Sequence, residues 1–219
     1  MTRWLVAMAL AGVPAIRAAD IRLDDASRLE LQNVQTQNTS YRGKTSLKMT
    51  EKESGPGGHA RLRGLEFGDG EIRLEVSGAP SKSADATARG FIGIEFHLQA
   101  NGSHAENIYL RPSNARAEDQ LARNHSVQYV SPPEWTWQRL RQETPGQYES
   151  YVDMQAGEWT RMRIVVHGKE ARLYVGGAPQ PCLVVKELKL GASRGGVALW
   201  IGPGTEGYFR NLRITEEAR

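Results

Sequence analysis

The chain has a single cysteine in 219 residues, Cys182, so no intrachain disulfide can form. A fold without that staple rests on its apolar core, and a chain of this length can bury one. Cys182 sits in "PQPCLVV" with no cation or helix start beside it to lower its pKa. It reads as a small buried side chain, not a nucleophile. Aromatic residues are scarce, at 7%, so a segment that concentrates them stands out. There is no lysine/arginine run, and acids are interspersed with bases, which excludes the pattern that tracks a nucleic-acid backbone. The Gly-x-Ser-x-Gly elbow, the phosphate loop and the His-x-x-x-His zinc pair are all missing.

Long apolar runs are absent except at the N-terminus, "MTRWLVAMALAGVPAIRAAD". Basic Arg3 precedes an apolar stretch from Trp4 to Ile16, and small residues Ala18 and Ala19 follow. This is the grammar of a secretory signal peptide; the run is too short to span a bilayer and is broken by Pro14. The expectation is a signal peptide over 1–19, a single domain over 20–219, and export to the periplasm or the extracellular space. Losing Arg3 and Arg17 would lower the formal charge from +3 to +1, so the overall basicity says little about partners.

What is present is a series of short alternating segments punctuated by 23 glycines. They include "GEIRLEVSG", "FIGIEFHL", "NIYLRP", "HSVQYV", "EWTRMRIVVHG", "EARLYVGG", "CLVVKEL", "GGVALWIG" and "GYFRNLRI". Many short strands with glycine turns predict an all-β, antiparallel two-sheet sandwich. The exception is a long connection over 112–147, where "NARAEDQLAR" offers a short helix capped by Asn114.

The order of several segments carries a resemblance. "YRGKTSLKM", "FGDGEIRLEVSG" and "RGFIGIEFHL" lie in the N-terminal half; "GEWTRMRIVVHGKEARLYVGG" and "GGVALWIGPGTEGYFRNLRI" lie in the C-terminal half. Together they resemble the laminin-G-like and concanavalin A-like jelly rolls. Within these, they are most similar to the branch with the 3-keto-disaccharide hydrolase domains of bacterial exported proteins. The resemblance implies a jelly-roll sandwich that handles carbohydrate. It leaves function open, because the fold serves glycosidases, lectins and adhesion modules. Relatives often carry Asp before the Asn of the last strand, where this chain has Arg210.

Retaining glycosidases of this fold use a Glu-x-Asp-x-x-Glu strand, which brings two carboxyl groups to about 5 Å. This chain has no Glu-x-Asp; "YESYVD" places Glu149 and Asp153 on one strand face, but two side-chain steps apart. "EFGDGE", with Glu66, Asp69 and Glu71, could attract calcium but reads better as an Asp-Gly turn.

The strongest candidate site is the hairpin "GFIGIEFHLQANGSHAENIYLRP". Strict alternation puts Ile92, Ile94, Phe96 and Leu98 on one face, and Phe91, Gly93, Glu95 and His97 on the other. An Asn-Gly turn then returns Asn107, Tyr109 and Arg111 to the polar face. Glu95, His97, Tyr109 and Arg111 are the candidate catalytic residues: Glu95 or His97 as acid or base, Tyr109 as proton donor, and Arg111 for an oxyanion. The same pattern also fits a solvated sheet face with cross-strand ion pairs. The aromatic-rich 112–147 connection favours a roofed sugar site, with His125, Gln128, Trp135, Trp137 and Arg141 as candidate substrate-binding residues. An extended "EWTWQ" would align Trp135 and Trp137 as one stacking platform, or either could anchor the loop instead. Trp159 and Trp200 are expected in the core, and His59, His104 and His167 on the surface.

If Glu95 and His97 met Asp119 or His125, a divalent metal such as Zn²⁺ or Mn²⁺ would suit them, although no ligand spacing compels one. The resemblance implies an exported enzyme acting on a 3-keto-glycoside by hydrolysis or elimination, with a carbohydrate ligand. A non-catalytic glycan-binding module is the competing reading, and a structural or adhesion domain is a third.

Overall fold

The computed structural model describes residues 16–217. Most of the predicted leader, residues 1–15, lies outside them, whereas Ala18 and Ala19 belong to the first strand.

The strands are β1 (Ile16–Ile21), β2 (Leu29–Gln32), β3 (Val34–Tyr41), β4 (Lys44–Glu51) and β5 (Gly58–Phe67). They continue with β6 (Gly70–Pro80), β7 (Ile92–Leu98), β8 (Glu106–Leu110), β9 (Val127–Val130) and β10 (Glu149–Ser150). The last are β11 (Thr160–His167), β12 (Glu170–Val175), β13 (Leu183–Val185), β14 (Gly195–Ile201) and β15 (Thr205–Glu217).

Two antiparallel sheets result. One runs β13-β12-β11-β6-β15-β4-β3, with β1 also paired to β15; the other runs β10-β9-β8-β7-β14-β5-β2. Strands from both halves of the chain interleave in each sheet, as in the jelly-roll sandwich that the alternation predicts. Among the described residues no helix is long and apolar enough to cross a membrane.

The core fills the space between the sheets. Ile92, Ile94 and Phe96 of β7, with Ile108 and Leu110 of β8, face Ile72 and Val76 of β6 and Ile164 of β11 in one fully buried cluster. Each such side chain contributes about 1.5–3 kcal/mol by leaving water. The hairpin pairs as predicted, with Gly93 opposite Tyr109 and Glu95 opposite Asn107.

One prediction about this hairpin is corrected. Between Glu95 and Leu98 β7 carries one residue more than β14, since Ala198 pairs Glu95 while Gly196 pairs Leu98. The extra residue is accommodated at His97, whose φ is +51. A bulge of this kind swaps the faces of the residues beyond it. His97 is fully buried against Phe67 and Phe96, and its Nε2–H donates to the Gly68 carbonyl at 3.1 Å. Leu98 takes the outward place, in a small apolar cluster with Ala105 and Ala198.

The 112–147 connection holds three short helices: α1 (Pro112–Ala115), α2 (Gln120–Asn124) and α3 (Trp137–Glu143). Asn114 lies inside α1 and does not cap. Asp119 caps α2 by accepting from Leu121 N, the role in which a short acidic side chain is strongest. Thr136 caps α3, so "EWTWQ" is not extended.

Candidate functional site

The outer face of the second sheet carries two rows of side chains. Cα partners across the strands run Glu149–Gln128–Tyr109–Gly93–Trp200–His59–Gln32 in one row. In the next they run Val130–Asn107–Glu95–Ala198–Arg61–Glu30. Hydrogen-bonded strands lie about 4.8 Å apart, so Tyr109 and His59, three strands apart, stand roughly 14 Å apart at their backbones. The face therefore holds two distinct groups of polar residues, with Trp200 between them.

The first group is His59 with Glu95. His59 Nδ1 lies 2.7 Å from Glu95 Oε2, an ion-pair contact when the imidazole is protonated, and both side chains are mostly buried. Their strands are not neighbours, and the bridge passes over β14 at Ala198, whose methyl leaves the path open. With Nδ1 turned to the carboxylate, Nε2 is the ring nitrogen directed away from it. The pair lines a cleft of about 490 Å³, with Trp200, Leu98, Gln32, His104, Pro132 and Pro133 among its walls. Asn107 Oδ1, beside Glu95, is buried without a hydrogen-bond partner.

The second group is built around Arg111. Its Nη2 donates to the Tyr109 hydroxyl at 2.9 Å, and its guanidinium lies 5.3–6.0 Å from the Tyr109, Trp137 and Phe91 ring centres. Burial pushes the Tyr109 phenol up, and the adjacent Arg111 cation only partly offsets this. Arg141 makes a two-pronged pair with Glu149, its Nη2 to Oε2 at 2.7 Å, and lies under Trp137. His125 Nδ1 is 2.9 Å from the same carboxylate. Burial nevertheless holds His125 below its ordinary value, outweighing Glu149.

Of the nine residues predicted from sequence, Tyr109, Arg111, His125, Trp137 and Arg141 come together in this second group. Gln128 lies in the same row but turns its amide inward, where Nε2 donates to the Tyr129 and Tyr148 carbonyls. Glu95 is in the first group. His97 is corrected to the core side by the bulge. Trp135 is corrected too: it pairs with Ser131 and is flanked by Arg139 at 3.8 Å and Lys189 at 4.3 Å, so it forms no platform with Trp137.

Two readings outside that set are also corrected. His59, expected on the surface, is the imidazole that meets Glu95. Trp200, expected in the core, lines the cleft and packs on Tyr109 at 4.9 Å between centroids. Trp159 likewise lies outside the core cluster, against Tyr41.

The residues considered for a metal do not converge. His97 bonds Gly68, Glu95 faces His59 at 2.7 Å, Asp119 caps α2, and His125 faces Glu149 at 2.9 Å. Among the described residues no three His, Cys, Asp or Glu side chains are grouped to hold an ion. At the Asp-Gly turn, Asp69 accepts from Gly168 N at 2.9 Å, while Glu71 pairs with Arg73 and Arg163. Glu149 and Asp153 do not share a strand face either: β10 ends at Ser150, and Asp153 pairs with Arg116.

The fold is shared widely. It resembles a carbohydrate-binding module from Bacillus subtilis, with a TM-score of 0.53 and 9% identity, over 84% of this chain and 96% of that one. A galectin-like protein from Bacillus subtilis superposes with a TM-score of 0.55 and 10% identity, over 90% and 94% of the two chains. Peanut lectin gives 0.51 at 9% identity, over 92% and 97%. At such identities the likeness is one of fold. Compared with proteins of curated function, the sequence has no match. Residues 27–215, nearly all of both sheets, match the family described as 3-keto-alpha-glucoside-1,2-lyase-like domains, and the chain belongs to that family of carbohydrate-related domains.

Proposed function

We propose that the cleft at His59, Glu95 and Trp200 binds a 3-keto-glycoside and cleaves it by elimination. The observation that carries this reading is the 2.7 Å His59–Glu95 pair on the cleft wall. A carboxylate this close to Nδ1 stabilises the imidazolium, and a proton held on Nδ1 leaves Nε2 to act as the general base. In a 3-keto sugar the hydrogen on C2 is acidified by the neighbouring ketone. His59 Nε2 takes that proton, the electron pair forms the C1–C2 double bond, and the C1 oxygen leaves with the aglycone and picks up a proton. The amide of Gln32, beside His59 on the cleft wall, would donate to the ketone oxygen. Trp200 supplies an apolar face for the sugar ring. This chemistry needs one base and no second carboxylate, in keeping with the missing Glu-x-Asp.

The test is release of p-nitrophenol from p-nitrophenyl 3-keto-α-glucoside by the purified protein, beside His59→Gln. Turnover that falls by at least about 100-fold in the variant, as loss of a general base does, supports the reading; equal rates overturn it. A second reading, glycan binding without catalysis, draws on Trp200 and the Gln32 amide around the open cleft. Ligand binding by calorimetry with no turnover by either protein selects it.

Export after cleavage near Ala19 belongs to the same reading, on the strength of the 1–19 pattern. Sequencing the N-terminus of protein recovered outside the cytoplasm tests it, and an intact residue 1 there overturns it.

A further inference from the structure

The opposite face of the molecule carries a feature that the cleft does not use. Outward positions of the first sheet alternate with its core residues, and many of them are arginine. Arg73 on β6 has Arg163 of β11 directly opposite on one side and Arg213 of β15 on the other. One row further, Arg161 and Arg210 flank Glu75. Arg172 adds a further cation on β12. Glu71 answers both Arg73 and Arg163, and Glu75 answers both Lys44 and Arg210. Asp20 lies 3.8 Å from Arg213, and Glu170 pairs with Arg172. The cations outnumber these four carboxylates.

Like charges directly opposite one another on a sheet are destabilising. Three arginines in one row across β11, β6 and β15 therefore hold positive potential in place at a cost to the fold. The row borders a groove of about 430 Å³ whose lining includes Arg73, Arg161, Arg163, Tyr174 and Asn211, with Glu75 as its one carboxylate. The Arg163 guanidinium covers one face of Tyr174 at 3.6 Å, so that face is closed to a stacking nucleic-acid base.

We propose that this arginine face binds an acidic polysaccharide, a glycan chain bearing a carboxylate on each sugar. Neighbouring strands bring successive arginines about 4.8 Å apart along the row. That backbone spacing is of the order of one pyranose unit, so the row can reach several carboxylates of one chain, those turned towards the sheet. Arginine suits the task because its planar fork takes a carboxylate through two parallel hydrogen bonds. The site lies on the other sheet from the cleft and stands whether or not the cleft is catalytic. Its role is to hold the protein on an anionic matrix.

The test is affinity electrophoresis of the full chain through gels containing polygalacturonate or, as a control, neutral dextran. The expected result is retardation by polygalacturonate alone, weakening as salt is raised. In the double variant Arg73→Gln/Arg163→Gln the affinity falls by roughly tenfold or more, from the lost charged hydrogen bonds. Glu71→Gln, which releases both arginines from their shared carboxylate, tightens binding and keeps the proposal testable if the double variant does not fold. Equal mobility of the wild type in both gels overturns the proposal, as does a Glu71→Gln protein that binds no better than wild type. A DNA duplex or phosphatidylglycerol vesicles bound as tightly as polygalacturonate would also overturn it, by marking a general polyanion surface.

Discussion

His59 reaches Glu95 across a strand that belongs to neither of them, and the small residue Ala198 on β14 is what leaves the 2.7 Å bridge room. Ala198 is fully buried under this bridge. Ala198→Leu is expected to separate the pair and to cost about 1–3 kcal/mol by overpacking. Thermal melts read the stability, and keto-glycoside turnover reads the pair. A variant with wild-type rate would show that the bridge is not needed.

Gly93 tests how closely the hairpin strands must approach. A Cβ added there would lie 2.2 Å from the Ile108 carbonyl and 2.6 Å from the Tyr109 Cα. Both obstacles are backbone, so Gly93→Ala must push β7 and β8 apart where Tyr109 packs on Trp200. A destabilisation of more than about 1 kcal/mol is expected in urea unfolding. A neutral result would mean that the strands separate freely.

Burial pushes the Cys182 thiol up to about 11, well above a free cysteine. Only the thiolate attacks disulfide reagents. Native protein at mildly alkaline pH should therefore react with Ellman's reagent a few hundredfold more slowly than after unfolding in guanidinium. Rapid labelling of the native chain would place Cys182 in an activated setting.

Glu106 offers a pH test independent of the cleft. It is fully buried, accepts from the Tyr129 hydroxyl and from Leu190 N, and burial pushes its pKa up despite those bonds. An acid whose pKa is higher folded than unfolded keeps its proton longer in the native state. Its contribution is complete below the ordinary carboxylate range and is lost as pH rises through the folded value. Glu106→Gln lacks that loss. Its urea midpoint relative to wild type should rise between about pH 4 and pH 7, and a difference that shrinks with pH would contradict the assignment.

Much of this was legible in the residues. Alternation in "FIGIEFHL" and "NIYLR" marks the core face of the hairpin as far as Phe96 and puts Glu95 opposite Asn107. It fails one residue later, because a bulge adds a residue without altering the apolar count. His59 was legible too: His59, Arg61 and Arg63 alternate with Ala60 and Leu62 in β5, but the glycines before them mimic a turn. Trp200 alternates with Leu199 and Ile201, which already places it on the outer face; its size suggested the core instead. The cross-strand reach of Glu95 to His59 was not legible, since it depends on strand order in a sheet whose β5 and β14 lie far apart in sequence.

The bulge in β7 also changes what His97 is for. Remove that one residue in thought, and Glu95 still faces the cleft, Phe96 still faces the core, and Leu98 still comes outward. The cleft wall does not need His97. What would be lost is the tether from its ring to Gly68, the point where the chain leaves β5 in one sheet and turns into β6 in the other. A side chain with the credentials of a proton shuttle is employed as a corner brace, tying a central strand to the place where the chain crosses between the layers of the sandwich.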